Sequence, residues 1–150
     1  MSVANALHAI STWVQNSGID TSRDLSGFLT GALIVAQADG PLSDGEEQQL
    51  SQMQQSLTGS ELSPETLRAE RDWLAENGVD AAIHTISQGF TSASDRELLV
   101  TFAALVGAAE GGVNAAEGGA LQKLGQGLGF SQTQVQQLLA KAMQAAGGKF

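Results

Sequence analysis

Apolar residues along this chain of 150 residues recur every three or four positions, which is the spacing of an amphipathic α-helix. The first such segment carries Val3, Leu7, Ile10 and Val14, and comparable stripes follow along the rest of the chain. No segment alternates apolar and polar residues as a half-buried strand does, and no linker or low-complexity block interrupts the pattern. We therefore predict an all-α protein, a single compact bundle of seven to eight helices over residues 1–150.

Residues that favour helix starts separate these stripes. A Ser, Thr or Asn side chain at the N-cap accepts a first-turn N–H, and an acidic residue three positions later often folds back onto the cap. The predicted N-caps are Thr21, Ser43, Ser63, Ser94, Asn114 and Ser131. The helix after Thr21 has the widest apolar face, so we expect it to be central and buried on most sides. The helix after Asn114 contains several glycines, which predicts either a loose helix or a neighbour that approaches it closely.

A stretch of 32 residues occurs twice, at 29–60 and 100–131, and ten of the aligned pairs are identical. Each copy has an apolar helix, an acidic residue, a glycine, a polar cap, a glutamate three residues later and a second apolar-striped helix. Such self-similarity predicts a duplicated helix–loop–helix unit. We expect the two copies to be related by a pseudo-twofold axis.

Two acidic residues recur in each copy: Asp39 and Glu46 in the first, Glu110 and Glu117 in the second. Glu46 and Glu117 stand three residues after a cap, where a glutamate stabilises the helix start. Asp39 and Glu110 fit this interpretation less well, because each follows the C-terminal end of a helix, where the macrodipole disfavours a negative charge. Both copies nevertheless carry an acid at this point.

A cation site is the alternative interpretation of these four acids. If the two copies pack about a pseudo-twofold axis, the four carboxylates approach one another, and clustered carboxylates repel unless a proton or a cation lies among them. Oxygen ligands favour hard cations such as Ca²⁺, Mg²⁺ or Mn²⁺. Asp44 and Glu47 add charge to the first loop but have no acidic counterpart in the second, so they rank lower as ligands.

The first loop is not an EF-hand. Counting from Asp39, the third position is Pro41, the sixth is Asp44 instead of glycine, and the twelfth is Leu50 instead of glutamate. Any cation site must therefore be assembled from both loops.

At these residues the chain resembles the TerB-like (tellurite-resistance B) family. The resemblance rests on residues 36–46 (AQADGPLSDGE) and 108–117 (AAEGGVNAAE), and residues 128–131 (LGFS) before the last helix support it. It implies an all-helical domain with internal pseudo-symmetry, in a cytoplasmic bacterial protein associated with tellurite and other chemical stress. It also implies metal binding by acidic residues, here Asp39, Glu46, Glu110 and Glu117. The chain departs from the family pattern at Glu110, where the family favours aspartate.

Composition narrows the function classes. The chain carries 16 acidic and 7 basic residues, a net charge of −9, and a surface of that sign repels nucleic acid while it favours cations and basic partners. It has no cysteine and no tyrosine, and it shows neither a phosphate-binding Gly-Lys-Ser/Thr loop nor a Ser/His/Asp arrangement. No apolar run is long enough to insert into a membrane, and no secretory signal is recognisable.

Three functions follow from these observations, in order of preference. The first is a non-enzymatic, cytoplasmic stress-response protein that binds a divalent cation at the paired acidic loops. The second is a helical interaction module whose acidic surface contacts a basic or membrane-associated protein, with the acids serving only as helix caps. The third is an acid–base hydrolase, which requires the carboxylates to line a substrate-sized pocket.

Overall fold

The computed structural model describes residues 3–20, 25–109 and 113–147. These residues form eight α-helices and no strand, which confirms the all-α prediction. In chain order the helices are α1 (Val3–Ser17), α2 (Ser26–Ala36), α3 (Asp44–Thr58), α4 (Pro64–Asn77), α5 (Val79–Gly89), α6 (Ala93–Ala109), α7 (Ala115–Gly127) and α8 (Gln132–Ala145). The extent of the domain, residues 1–150, stays a prediction.

Helices α2 and α6 pack against each other and form the centre of the bundle. Every residue of α2 from Phe28 to Ala36 is buried, as the width of its apolar face predicts. Among the peripheral helices, α4 and α5 contact α2, α1 and α8 contact α6, and α7 contacts both central helices. Helix α3 packs mainly on α1.

Four of the predicted N-caps are present as hydrogen bonds. Ser43, Ser63, Asn114 and Ser131 each accept the N–H of the residue three positions later. The Ser94 cap is wrong: α6 already begins at Ala93, and Ser92 accepts the Asp95 N–H at 3.1 Å. Both serines suit a cap, and the earlier one lets the helix begin two residues sooner.

The start of α2 also differs from the prediction. The helix begins at Ser26, and Leu25 in the N-cap position makes no side-chain capping bond. Thr21, predicted as the cap, and Asp24, three residues after it, lie outside the described residues.

Two glycines of α7 lie where a neighbouring helix approaches closely. A Cβ at Gly125 would overlap Val135 of α8, and a Cβ at Gly127 would overlap Ile83 of α5. At Gly119, by contrast, a Cβ would meet no atom within 4 Å. The C-terminal half of α7 therefore uses glycine to pack closely against two neighbouring helices.

Arg96, on the first turns of α6, joins the ends of two other helices. Its guanidinium donates to the carbonyl oxygens of Ser87 at 2.7 Å, Phe90 at 2.6 Å and Leu128 at 3.1 Å. These carbonyls lie at the C-terminal ends of α5 and α7, where backbone acceptors lack helical partners. One half-buried side chain thus fixes α5 and α7 on α6.

In each copy of the sequence repeat, an α-helix is followed along the chain by a capped α-helix. Their second helices nevertheless have different neighbours, since α3 packs mainly on α1 and α7 packs on α2, α5, α6 and α8. The pseudo-twofold relation between the copies therefore stays a prediction.

Candidate cation site at the two acidic loops

The first acidic loop connects α2 to α3. Asp39 is exposed at its start and precedes Gly40, whose φ of 140° lies in the region that favours glycine. Ser43 and Glu46 then form a complete capping box: the Ser43 hydroxyl accepts the Glu46 N–H at 3.2 Å, and Glu46 Oε1 accepts the Ser43 N–H at 2.9 Å. This box holds the half-buried Glu46 side chain over the start of α3.

The second acidic loop contains the matching capping box. Asn114 Oδ1 accepts the Glu117 N–H at 2.9 Å, and Glu117 Oε1 accepts the Asn114 N–H at 3.1 Å. Glu117 is only 4% exposed and is therefore buried, whereas Glu46 is half-buried. Glu110, the fourth predicted ligand, lies outside the described residues.

Gly107 of α6 lies beside the buried carboxylate, and its closest neighbour is Val35 of α2. A Cβ at Gly107 would lie 3.3 Å from Val35 Cγ1 and 3.9 Å from Glu117 Oε2. Glu117 is therefore packed where α7 meets the central pair α2 and α6. The repeat has Ala36 at the position equivalent to Gly107.

The two loops meet in space. Asn114 Nδ2 donates a hydrogen bond to Asp39 Oδ2 at 2.5 Å, across 75 residues of chain. Asn114 thus caps α7 with its amide oxygen and holds the first loop with its amide nitrogen. Sequence reasoning identified this residue only as a cap; its alignment with Ser43 gave no indication of the second contact.

The buried carboxylate of Glu117 is affected by its surroundings in three ways. Burial raises the pKa of Glu117 above its ordinary value, and the negative charges of Asp39 and Glu46 raise it further. The hydrogen bond from the Asn114 backbone N–H acts in the opposite direction. Among the described residues, no lysine or arginine forms an ion pair with these three acids.

The donor chemistry of this cluster suits a hard cation, but the described part of it is not a preformed metal centre. Carboxylate oxygens are the ligands that Ca²⁺, Mg²⁺ and Mn²⁺ prefer. Within residues 3–20, 25–109 and 113–147, however, no three His, Asp or Glu side chains are placed to hold one ion together. Glu46 and Glu117 also each use one oxygen in a capping box.

Asp44 and Glu47, which rank lower as ligands, lie at a groove outside the candidate cation site. A groove of about 560 Å³ lies beside the first loop, between α3 and α4, and Asp44 and Glu47 line it. Glu47 forms an ion pair there with Arg71 of α4. Asp39, Glu46 and Glu117 are not among the described residues that line this groove, so its geometry does not support acid–base chemistry by these three acids.

The fold and the paired acidic loops define the class of protein: an all-helical domain with two capped, acidic helix–loop–helix segments. The family model of tellurite resistance protein TerB matches residues 27–140, which is most of the chain. The chain belongs to this family, which makes it a tellurite-resistance-associated helical domain. Comparison with curated proteins and with solved structures gave no match. In the described part of the chain, none of the helices has the length and apolar character needed to cross a membrane.

Proposed function

We propose that the protein is a non-enzymatic, cytoplasmic stress-response protein that binds a divalent cation through Asp39, Glu46, Glu110 and Glu117. The observation that supports this most directly is the Asn114–Asp39 hydrogen bond, because it brings the two acidic loops together. The raised pKa of Glu117 is the second support, because burial and the two neighbouring acids disfavour its negative charge, and a bound cation would offset this.

Each of the three described acids has a second carboxylate oxygen that could coordinate a cation. Asp39 accepts its described hydrogen bond through Oδ2, and Glu46 and Glu117 accept theirs through Oε1. The remaining carboxylate oxygens of the three residues, together with Glu110, are the proposed ligands. Their chemistry favours Ca²⁺, Mg²⁺ or Mn²⁺ over softer metals.

The test is thermal unfolding of the EDTA-stripped protein, with and without millimolar Ca²⁺, Mg²⁺ or Mn²⁺. A cation that binds only the folded state, at a hundred times its dissociation constant, adds about 2.7 kcal/mol of stability. That corresponds to a rise of several degrees in Tm for a domain of this size. Glu117→Gln and Glu110→Gln should each abolish the rise, whereas Glu76→Gln, on an exposed position of α4, should leave it intact. If none of the three ions raises the Tm above that of the EDTA-stripped protein, the proposal is refuted.

A helical interaction module is the second candidate, and specific observations favour it. The capping boxes give Glu46 and Glu117 a structural role that needs no metal. In this case the acidic surface of the chain, whose overall net charge is −9, contacts a basic or membrane-associated protein. A partner retained in EDTA and released by salt, without any cation effect on Tm, would favour this function over the first.

A further inference from the structure

A second groove, which we call the α4–α5 groove, lies away from the acidic loops. It has a volume of about 420 Å³ and is formed by α2, α4 and α5. This volume falls within the usual range for small-molecule sites. Its principal lining residues are Thr30, Glu70, Trp73, Ala82, Ile86 and Phe90.

The apolar wall of the α4–α5 groove is fixed by close packing. Phe90 is 3% exposed and meets Phe28 of the core edge to face, with 5.1 Å between the ring centroids. Gly27 allows this approach, because a Cβ there would overlap the Phe90 ring. Ala82 and Ile86 of α5 are also buried. The wall is therefore preformed, which lowers the entropic cost of ligand binding.

Glu70 is the charged residue among those that line the groove, and Ser26, Thr30 and Thr85 are hydroxyl-bearing lining residues. Thr30, 6% exposed, places its hydroxyl 2.8 Å from Glu70 Oε2 and 3.1 Å from the Ser26 carbonyl oxygen. Both neighbours are acceptors, and a hydroxyl has one proton to donate. An ionised carboxylate has about four acceptor positions, so this shared proton leaves most of the capacity of Glu70 unused.

No protein cation neutralises this carboxylate in the described part of the chain. The described ion pairs involve Arg71 with Glu47 and Lys123 with Asp80, and neither includes Glu70. Trp73 follows Glu70 by three positions on α4, so the two side chains share one face of the helix. An indole ring beside a carboxylate attracts a cation through its π-face as well as through the opposite charge.

We propose that the α4–α5 groove binds a small organic ammonium ion with an apolar substituent. Glu70 accepts the ammonium N–H groups, Trp73 contacts the charge through its ring, and the apolar substituent lies against Ile86 and Phe90. A metal ion is a poorer fit, because it leaves the apolar wall without a contact. This site is separate from the acidic loops and does not depend on them.

The experiment is a titration of the ¹⁵N-labelled full chain with 2-phenylethylamine, followed by the two indole N–H signals. Trp73 lines the groove, whereas Trp13 lies against Lys141 in a different one, so Trp13 serves as an internal control. We expect a saturable shift of the Trp73 signal and none of the Trp13 signal. The neutral isostere 2-phenylethanol should bind about tenfold or more weakly, because it lacks the charge-assisted hydrogen bond.

Glu70→Gln is the decisive variant. Glutamine still accepts the Thr30 hydroxyl, so the fold is retained while the charge is lost; the amine should then bind no better than the alcohol. Glu76→Gln removes an exposed charge from the same helix and should leave amine binding unchanged. Trp73→Leu keeps the apolar contact and should reduce the preference for the amine even if Glu70→Gln does not fold. Equal binding of amine and alcohol by the unmodified protein would overturn the proposal. So would the absence of a Trp73 shift at about 10 mM amine.

Discussion

Asn114 and Asp39 join the two acidic loops through a hydrogen bond of 2.5 Å, although 75 residues separate them in the chain. The same asparagine caps α7 through its amide oxygen. Formation of the α7 cap and placement of the first loop are therefore linked through one side chain. Asparagine can make both contacts at once because its acceptor oxygen and its donor nitrogen are separate atoms of one side chain.

Substitutions at Asn114 should separate these two contacts. Asn114→Ala removes the cap and the bridge and should lower the free energy of unfolding by about 1–2 kcal/mol. Asn114→Ser keeps a good cap and should cost only the exposed bridge, about 0.5–1 kcal/mol. Urea unfolding in EDTA measures both. In an Asp39→Ala background the Asn114→Ser cost should disappear, and a cost that persists there would show that the bridge contributes nothing.

The buried carboxylate of Glu117 predicts a pH dependence of stability. Its folded pKa is raised, so the folded state holds the proton more tightly than the unfolded state does. The contribution to stability is complete below the unfolded pKa, near pH 4, and is lost as the pH rises through the folded pKa. In EDTA, Glu117→Gln should therefore be at least as stable as the unmodified protein at pH 7 and relatively less stable near pH 4.

The measurement is the difference between the urea midpoints of Glu117→Gln and of the unmodified protein, followed from about pH 4 to about pH 7. The difference isolates Glu117 from the other carboxylates, which are common to both. Glu46→Gln is the matched comparison, because it alters the equivalent capping box at a half-buried position. A Glu117→Gln difference that is flat with pH would contradict the assignment of a raised pKa to this residue.

Local signals in the sequence were sufficient to predict the elements but not all of their starts. The burial of α2 follows from an apolar face that covers most of the helix, and the caps at Ser43 and Asn114 follow from residue type and spacing. The cap at Ser94 is predicted because Glu97 stands three residues after it, as a capping box requires. Ser92, with Asp95 three residues later, is the cap in the structure, and residue type and spacing do not distinguish the two serines. Packing of the first turn of α6, where Arg96 contacts α5 and α7, depends on tertiary neighbours.

Only those features of the candidate site that depend on neighbours in sequence could be predicted. Glu46 and Glu117 occupy the same capping position, as the repeat predicts, yet one is half buried and the other is 4% exposed. The difference arises because Glu117 packs beside Gly107 of α6, which in turn lies against Val35 of α2, a helix distant from α7 in sequence. The Asp39–Asn114 contact likewise depends on how α2 packs against α6, which no spacing rule specifies.

Arg96 should be difficult to replace. Arg96→Ala leaves the carbonyl oxygens of Ser87, Phe90 and Leu128 without this donor, and each unsatisfied, partly buried acceptor costs about 1 kcal/mol. We expect a loss of about 2–3 kcal/mol in chemical unfolding. Arg96→Lys should recover only part of this, because an ammonium lacks the planar fork that reaches three carbonyls. Full recovery by lysine would show that charge at the helix C-termini matters more than the geometry of the donors.

The glycines of α7 should respond to alanine in opposite directions. In an exposed helix interior, alanine stabilises by about 0.5–1 kcal/mol relative to glycine, and Gly119, with nothing within 4 Å of its Cβ position, should show this gain. Gly125→Ala should instead destabilise, because the new methyl overlaps Val135 Cγ2 and the β-branched valine cannot rotate away easily. Val135→Ala in the same chain removes the overlapping methyl groups, so the double variant should be more stable than the two single costs predict. Thermal unfolding of the unmodified protein, the Gly125→Ala and Val135→Ala variants and the double variant measures this coupling. A purely additive result would mean that α8 moves away from α7 without cost.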